Sequence, residues 1–201
     1  MTDLTSKASP DFMAVLFQAT AVYRGKKVER PSASVVVNAL LQAEKTTKQQ
    51  RLTYPFESLL GQWQLCFTTG TRKAKKRGGI VLGKGIYVPK LALIKISFST
   101  TSQASEIGNS VQLGSLLLKL TGPAQYLGKK NLLAFDFTQM QISLFSQIIY
   151  NGQIRGGKIK TVDFYNQSIT KLPFFGFFLV TENFIAARGR EGGLALWIRE
   201  I

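Results

Sequence analysis

The residue types that carry out acid–base or nucleophilic chemistry are scarce in this sequence. Histidine is absent and Cys66 is the single cysteine. A serine or cysteine nucleophile therefore has no histidine base, and one thiol cannot assemble a structural zinc site. Acids such as Glu182 and Glu191 have no spacing that indicates a catalytic pair. We expect a binding protein that is not an enzyme, with no metal and no cofactor.

The segment GGIVLGKG at 78–85 has the glycine spacing and the lysine of a phosphate-binding loop. Such a loop needs Ser or Thr after the lysine to hold magnesium, and it must begin a helix. Here Gly85 follows Lys84, and Pro89 comes shortly after it. Because proline is unfavourable in a helix interior, the sequence argues against a nucleotide site at this segment.

Positive charge is the most unusual property of the composition. Lys and Arg number 26 against 11 Asp and Glu, which gives a net charge of +15. This excess predicts an anionic partner, either a nucleic acid or a bilayer with anionic lipids. The densest group is Arg72, Lys73, Lys75, Lys76 and Arg77. It is either a solvated hairpin loop or a membrane-binding patch, in which each basic residue contributes roughly 1 kcal/mol.

Four phenylalanines surround Gly176 in the segment LPFFGFF at 172–178. One interpretation is a buried strand, since aromatic clusters usually lie in a core. The other places Phe174 and Phe175 at an exposed tip that enters lipid or guards the opening of a cavity. The longest apolar run, 174–180, is far shorter than the roughly 20 residues that cross a bilayer. Any membrane attachment is therefore expected to be peripheral.

The compartment follows from the cysteine and from the first residues. A lone thiol requires no oxidising environment. The segment 1–12 carries Asp3 and Asp11 and lacks a basic region followed by an apolar run. We therefore expect no secretory signal or transit peptide and a reducing cytosol or stroma.

The segment 59–70 must organise any binding site, because it alternates apolar and polar residues like a half-buried strand. The alternation places Trp63, Leu65 and Phe67 on one face. Gly61 removes a side chain two residues before Trp63, so another group can lie close to the indole. We predict that this segment is the first strand of a closed antiparallel β-barrel.

Helical periodicity in 10–25 and 32–48 precedes this strand, whereas short strands and turns follow it. We predict a mainly β protein: an N-terminal helical segment, 1–52, packed on a barrel of eight to ten strands, 53–201. Asn151 and Gly152 have the composition of a two-residue hairpin turn. Strands are predicted over 79–87, 91–100, 109–120 with a turn at Gly114, 131–138, 140–150, 153–164, 177–187 and 193–199.

A barrel of about eight strands encloses side chains or one small ligand. If the alternation continues through every strand, apolar side chains line the interior and form the candidate ligand site. These residues are Trp63, Leu65, Phe67, Ile96, Phe98, Phe135 and Phe137.

Two blocks of sequence resemble a known family. The segment LGQWQLCFTT at 60–69 is similar to the opening motif L-x-G-x-W-x-L-x-[YF]-T-[ST] of the plastid lipid-associated proteins, or PAP/fibrillins. The segment FIAARG at 184–189, followed by Gly192, Gly193 and Leu194, is similar to their closing R-I-S-R-G motif. Ile185 replaces the first arginine of that motif, and Glu182 alone remains of the family's acidic run.

The resemblance, to a cyanobacterial type of PAP/fibrillin, implies a lipocalin-like barrel that binds an isoprenoid or another apolar lipid. It also implies peripheral attachment to lipid bodies (plastoglobules) or to the cytoplasmic side of thylakoid membranes in photosynthesis. In lipocalin-like barrels an arginine near the last strand covers the tryptophan of the G-x-W motif. Both Arg199 and Arg188 are candidates for this closure. The alternatives are a single-stranded nucleic-acid binder and an accessory protein of a lipid or pigment enzyme.

Overall fold

The computed structural model describes residues 11–73, 80–101, 104–154 and 164–200, with the backbone alone for 71–73 and 80–81. It is mainly β, with two helices, so the predicted fold class is confirmed. The helices are α1, Asp11–Tyr23, and α2, Ala33–Gln50. The strands are β1, Gly61–Thr68; β2, Thr71–Lys73; β3, Ile80–Leu82; β4, Ile86–Tyr87; β5, Ala92–Thr100; β6, Ser105–Leu113; β7, Leu116–Leu127; β8, Leu132–Phe135; β9, Gln139–Leu144; β10, Gln147–Gln153; β11, Phe174–Val180; β12, Phe184–Gly189; and β13, Leu194–Arg199.

Eight antiparallel strands close into a barrel in the order β1-β5-β6-β7-β8-β11-β12-β13, with β13 returning to β1. The long strand β7 makes closure possible because it has two partners on one side. Its first half pairs with β9 and its second half pairs with β8. Strands β9 and β10 therefore extend the sheet beyond the barrel wall. We call the barrel end at Gly61 and Arg199 the floor, and the end where β1 finishes at Thr68 the mouth.

A β-bulge in β1 corrects the predicted alternation. Leu65 pairs with Trp197 and Phe67 pairs with Leu196, so Cys66 is an extra residue in this ladder. Since an extra residue reverses the side on which later side chains point, Phe67 lies on the opposite face from Trp63. Phe67 packs among the helix-facing residues of the outer wall, whereas Trp63 lies inside the barrel.

The two helices cover the outer face of β1, β12 and β13. Leu16, Val36 and Leu40 are fully buried there, because the apolar residues recur at helical spacing and need a partner surface. The hydroxyl of Ser32 accepts from the backbone N–H of Val35 and caps α2. Ser9 and Pro10, whose residue types favour the start of a helix, lie outside the described residues.

The hairpin turn predicted at Asn151 and Gly152 is wrong. Both residues lie inside β10, where they pair with Gln141 and Met140 of β9. The chain instead turns at Phe145 and Ser146, both with positive φ, and Leu144 pairs with Gln147 across them. The β9–β10 ladder pairs six residues of each strand. These cross-strand pairs outweigh the local preference of Asn-Gly for a turn.

Three predicted strands also prove to be interrupted, and one of them, 79–87, divides into β3 and β4. The segment 140–150 contains the Phe145–Ser146 turn, and 177–187 divides between β11 and β12 at Thr181 to Asn183. The hydroxyl of Thr181 accepts hydrogen bonds from the backbone N–H groups of Asn183 and Phe184 and holds this turn. The predicted turn at Gly114 is confirmed, because β6 ends at Leu113 and β7 begins at Leu116.

Candidate functional site

Trp63 forms the centre of the barrel floor. Its side chain is fully buried, and its indole Nε1 donates to the carbonyl of Leu59 at 2.7 Å. The guanidinium of Arg199 lies over the ring, 3.9 Å from its centroid. A cation at this distance over an indole face is attracted by the electron density of the ring. Of the two arginines considered for this position, Arg199 occupies it.

Arg199 is also fixed by three backbone carbonyls. Its Nη1 donates to Leu60 at 2.9 Å, its Nη2 donates to Ser58 at 3.1 Å, and its Nε donates to Glu182 at 2.8 Å. These carbonyls belong to the segment before β1 and to the β11–β12 turn. One side chain therefore joins three parts of the chain beneath Trp63.

Gly61 makes this arrangement possible. Its φ is +114°, a backbone conformation that strains any residue with a side chain. A Cβ built on Gly61 would lie only 3.1 Å from Nη1 of Arg199. Glycine is therefore needed both for the backbone and for the space that the guanidinium occupies.

Arg188 has a different role from the predicted barrel closure. It lies on the outer wall, where its Nε donates to Oε1 of Glu44 on α2 at 2.9 Å and its Nη2 contacts Oε2. Lys48 forms a second ion pair with Glu44. Burial by itself would raise the pKa of Glu44, but the hydrogen bonds from Arg188 and Lys48 outweigh it and lower this pKa. Arg188 thus attaches α2 to β12.

The barrel interior is filled by aromatic side chains. Phe98 and Phe177 meet edge to face with centroids 5.8 Å apart, and Phe135 stacks on Phe175 at 5.0 Å. Trp197 packs edge to face against Phe175 at 5.6 Å. Trp63, Ile96 and Phe98 are packed deep in this cluster, with Leu65 and Phe137 partly buried at its border. A ligand must therefore occupy the mouth or displace these side chains.

A cavity of about 550 Å³ lies at the mouth. Its apolar lining includes Phe135, Phe175 and Ala195, which are the last inward-facing residues of their strands at this end. Phe135 is the single member of the predicted ligand set that lines it. Phe177 and Trp197 are interior residues that were not predicted, although the period-two spacing of Trp197 with Ala195 was a usable signal.

Two polar side chains at the mouth, Thr69 and Arg190, have partners within the protein, whereas Glu191 is exposed at its edge. The hydroxyl of Thr69 accepts from the backbone N–H of Leu194 at 2.9 Å. Nη1 of Arg190 donates to the carbonyls of Lys171 and Leu172 at 2.7 and 3.2 Å. The cavity therefore offers a ligand mainly the faces and edges of aromatic and aliphatic side chains.

The residues predicted to bind a membrane fall in three places. Phe175 points into the mouth, whereas Phe174 lies on the outer face beside Phe164 and Leu172. Arg72 and Lys73 lie in β2, for which the structure describes the backbone alone. This strand begins three residues after β1 ends. Lys75, Lys76 and Arg77 lie outside the described residues.

Cys66 does not have the surroundings of a reactive thiol. It is fully buried beneath the helices, its Sγ contacts the carbonyl of Leu196 at 3.3 Å, and burial raises its pKa to about 12. Within the ranges that the structure describes, His, Cys, Asp and Glu side chains form no group of three that could hold a metal ion.

Comparison with models of protein families gives no match, and comparison with characterised proteins gives none either. None of the helices in the described part of the chain has both the length and the apolar composition needed to cross a bilayer.

Proposed function

We propose that this protein binds an apolar small molecule, of the lipid or isoprenoid class, in the mouth of its barrel and catalyses no reaction. The observation that carries the proposal is the mouth cavity of about 550 Å³. Cavities of roughly 300–1,000 Å³ with apolar walls are typical of small-molecule sites. Because Arg199 and Trp63 close the floor, the mouth is the accessible end.

The lining favours an apolar ligand. The stacked rings of Phe135 and Phe175 form one wall, and Ala195 adds a small apolar side chain to the lining. Thr69 and Arg190 are engaged with backbone groups, and the exposed Glu191 contributes an acidic side chain to the lining. This composition agrees with the isoprenoid-type ligand that the resemblance to PAP/fibrillins implies.

The second part of the proposal is peripheral attachment to an anionic photosynthetic membrane, on its cytoplasmic side. The net charge of +15 supports an anionic surface as the partner. Strand β2 begins at Thr71, just after the mouth end of β1, so the basic run 72–77 follows the mouth directly along the chain. A membrane bound at Arg72 and Lys73, whose backbone forms β2, would lie close to the cavity, since Gly70 lines it.

Ligand binding is tested by filling the mouth. We expect Ala195→Phe to abolish binding of two apolar fluorescent probes, N-phenyl-1-naphthylamine and all-trans-retinol, because the new ring occupies the cavity. Ala104→Phe is the matched control, since Ala104 lies in the β5–β6 turn at the floor end. Quenching of Trp197, which contacts Phe175, is the readout. Equal binding by both variants would contradict the site, and no binding by the wild type would contradict the function.

Membrane attachment has a separate test. We expect the protein to float with phosphatidylglycerol-containing vesicles and to remain unbound with pure phosphatidylcholine. Replacing Arg72, Lys73, Lys75, Lys76 and Arg77 with alanine should weaken this binding, whereas Lys129→Ala with Lys130→Ala serves as the charge control. Flotation that ignores lipid charge and the basic run would contradict this part and leave the ligand site standing.

A further inference from the structure

Two neighbouring hairpins project at the mouth end of the sheet. One joins β6 to β7 at Gly114 and Ser115, and the other joins β9 to β10 at Phe145 and Ser146. The strands β7 and β9 pair, and the backbone N–H of Phe145 donates to the carbonyl of Ser115 at 3.1 Å. The two turns therefore form one continuous edge.

Large apolar side chains on this edge are exposed to solvent. Leu113, Leu116 and Leu144 are direct cross-strand neighbours. Leu91 precedes Ala92, which pairs with Leu113, and is 87% exposed, while Phe145 is 76% exposed. We define the apolar rim as the exposed residues Leu91, Leu113, Leu116, Leu144, Phe145, Ile148 and Ile149. Such a concentration of exposed apolar residues marks an interaction site.

The backbone at the tip of the rim is strained. Phe145 and Ser146 have φ of +48° and +65° in a two-residue turn. Turns of this kind favour Asn-Gly, because residues with a larger side chain are crowded at positive φ. Asn-Gly does occur in this hairpin, at Asn151 and Gly152, but within β10. A phenylalanine held at the tip against local preference points to a function for its exposed ring.

The rim and the mouth lie at the same end of the molecule. Strand β5 is antiparallel to β1, which runs from floor to mouth, so its first residue, Ala92, lies toward the mouth end. Ala92 pairs with Leu113, and Leu113 pairs with Leu116, so the rim extends from that position.

A lysine adjoins the rim along the chain, because Lys90 directly precedes Leu91. Apolar side chains at a protruding tip, on a protein whose net charge is +15, match the layered chemistry of a membrane surface, acyl chains below anionic headgroups.

We propose that the apolar rim inserts into the headgroup and acyl boundary of an anionic bilayer and turns the mouth of the barrel toward that bilayer. The inference rests on the proposed function, because it names the surface by which the lipid-binding barrel meets its membrane. Exposed apolar side chains at the tips of two hairpins can enter a fluid bilayer without a surface of complementary shape. The net charge of +15 then supplies attraction, and the rim supplies depth and orientation.

The test uses a variant that should improve the fold while removing the rim's tip. Phe145→Asn combined with Ser146→Gly installs the preferred turn composition, so thermal stability should be unchanged or higher. Partitioning to vesicles of phosphatidylcholine with phosphatidylglycerol should fall about tenfold, because one buried phenylalanine is lost from the bilayer. Leu41→Gln is the matched control, an exposed leucine on the helix α2.

Insertion depth provides a second measurement. In Phe145→Trp, lipids brominated near the headgroup should quench the introduced tryptophan, while Trp63 and Trp197 are buried and should respond little. The rim proposal is wrong if the Phe145→Asn, Ser146→Gly variant partitions to vesicles as the wild type does, or if the brominated lipids do not quench the introduced tryptophan. In either case membrane attachment itself stands. If the wild type is a dimer and the variant is a monomer, the rim is a self-association surface and the bilayer proposal is wrong. A wild-type protein that ignores all vesicles would overturn both proposals, whereas probe binding in the mouth is independent of them.

Discussion

Replacing Arg199 should loosen the barrel floor more than its position at the end of the last strand suggests. The side chain donates to the carbonyls of Ser58, Leu60 and Glu182 and covers the indole of Trp63. In Arg199→Ala these carbonyls lose their partner and one face of Trp63 is opened to water. In Arg199→Lys the charge remains, but an ammonium group cannot stack and reach three separate carbonyls together.

The size of the effect follows from these contacts. A hydrogen bond from a charged donor contributes about 1.5–3 kcal/mol, and a cation over an aromatic ring about 0.5–2 kcal/mol. Arg199 is half-buried, so water replaces part of what is lost, and the contributions are not additive. We expect Arg199→Ala to lower the free energy of unfolding by about 3 kcal/mol and Arg199→Lys by about 2 kcal/mol. For a chain of this length, 3 kcal/mol corresponds to a decrease in Tm of roughly 6–12 °C.

Urea unfolding followed by circular dichroism measures this loss. In a Trp197→Phe background Trp63 is the single tryptophan, so its emission should shift to the red when the floor opens. Arg30→Ala is a useful control, because Arg30 also lies over an aromatic ring, Tyr87, at 4.0 Å, but on an exposed loop. If Arg199→Ala unfolds at the same urea concentration as Arg30→Ala and keeps the wild-type emission, Arg199 does not hold the floor.

Two further predictions concern the outer wall. The lowered pKa of Glu44 means that its ion pairs stabilise the protein fully above the ordinary value of 4.5, and that this contribution is lost as the pH falls through the lower, folded-state pKa. The difference in urea midpoint between wild type and Glu44→Gln should therefore shrink from pH 6 to pH 3, and a constant difference would contradict this role. Because burial raises the pKa of Cys66 to about 12, its alkylation by iodoacetamide at pH 8 should require unfolding; rapid labelling of the native protein would refute this.

The fold class could be predicted because the strongest sequence signals are those that the barrel depends on. Ile96 and Phe98 alternate with polar residues along β5, and both point inward in the structure. The helical spacing of Leu16, Val36 and Leu40 likewise predicted an apolar surface that needed a partner. An open antiparallel sheet leaves unpaired backbone N–H and C=O groups on its edge strands. Closure into a barrel pairs these groups, so a barrel could be expected.

The errors arise where one residue interrupts a pattern. Nothing in the alternation of β1 shows that Cys66 is an extra residue in the ladder, so Phe67 was predicted to lie inside. The Asn-Gly pair at 151–152 satisfies the rule for a turn, yet the ladder between β9 and β10 places the turn at Phe145. In both places the register between paired strands, which a single segment of sequence does not show, decides the outcome.

These departures from local preference fall at the places where the proposed functions lie. The bulge at Cys66 turns Phe67 away from the interior, where Trp197, not Phe67, packs against the mouth residue Phe175. The strained turn exposes the ring of Phe145. An Asn-Gly turn would place a polar side chain there instead. At the floor, Gly61 and Arg199 fit each other closely, so that end is fixed. The closed floor, the apolar cavity and the exposed apolar edge at the opposite end are the features on which both proposals depend, and under those proposals a ligand enters and leaves on the side of the rim.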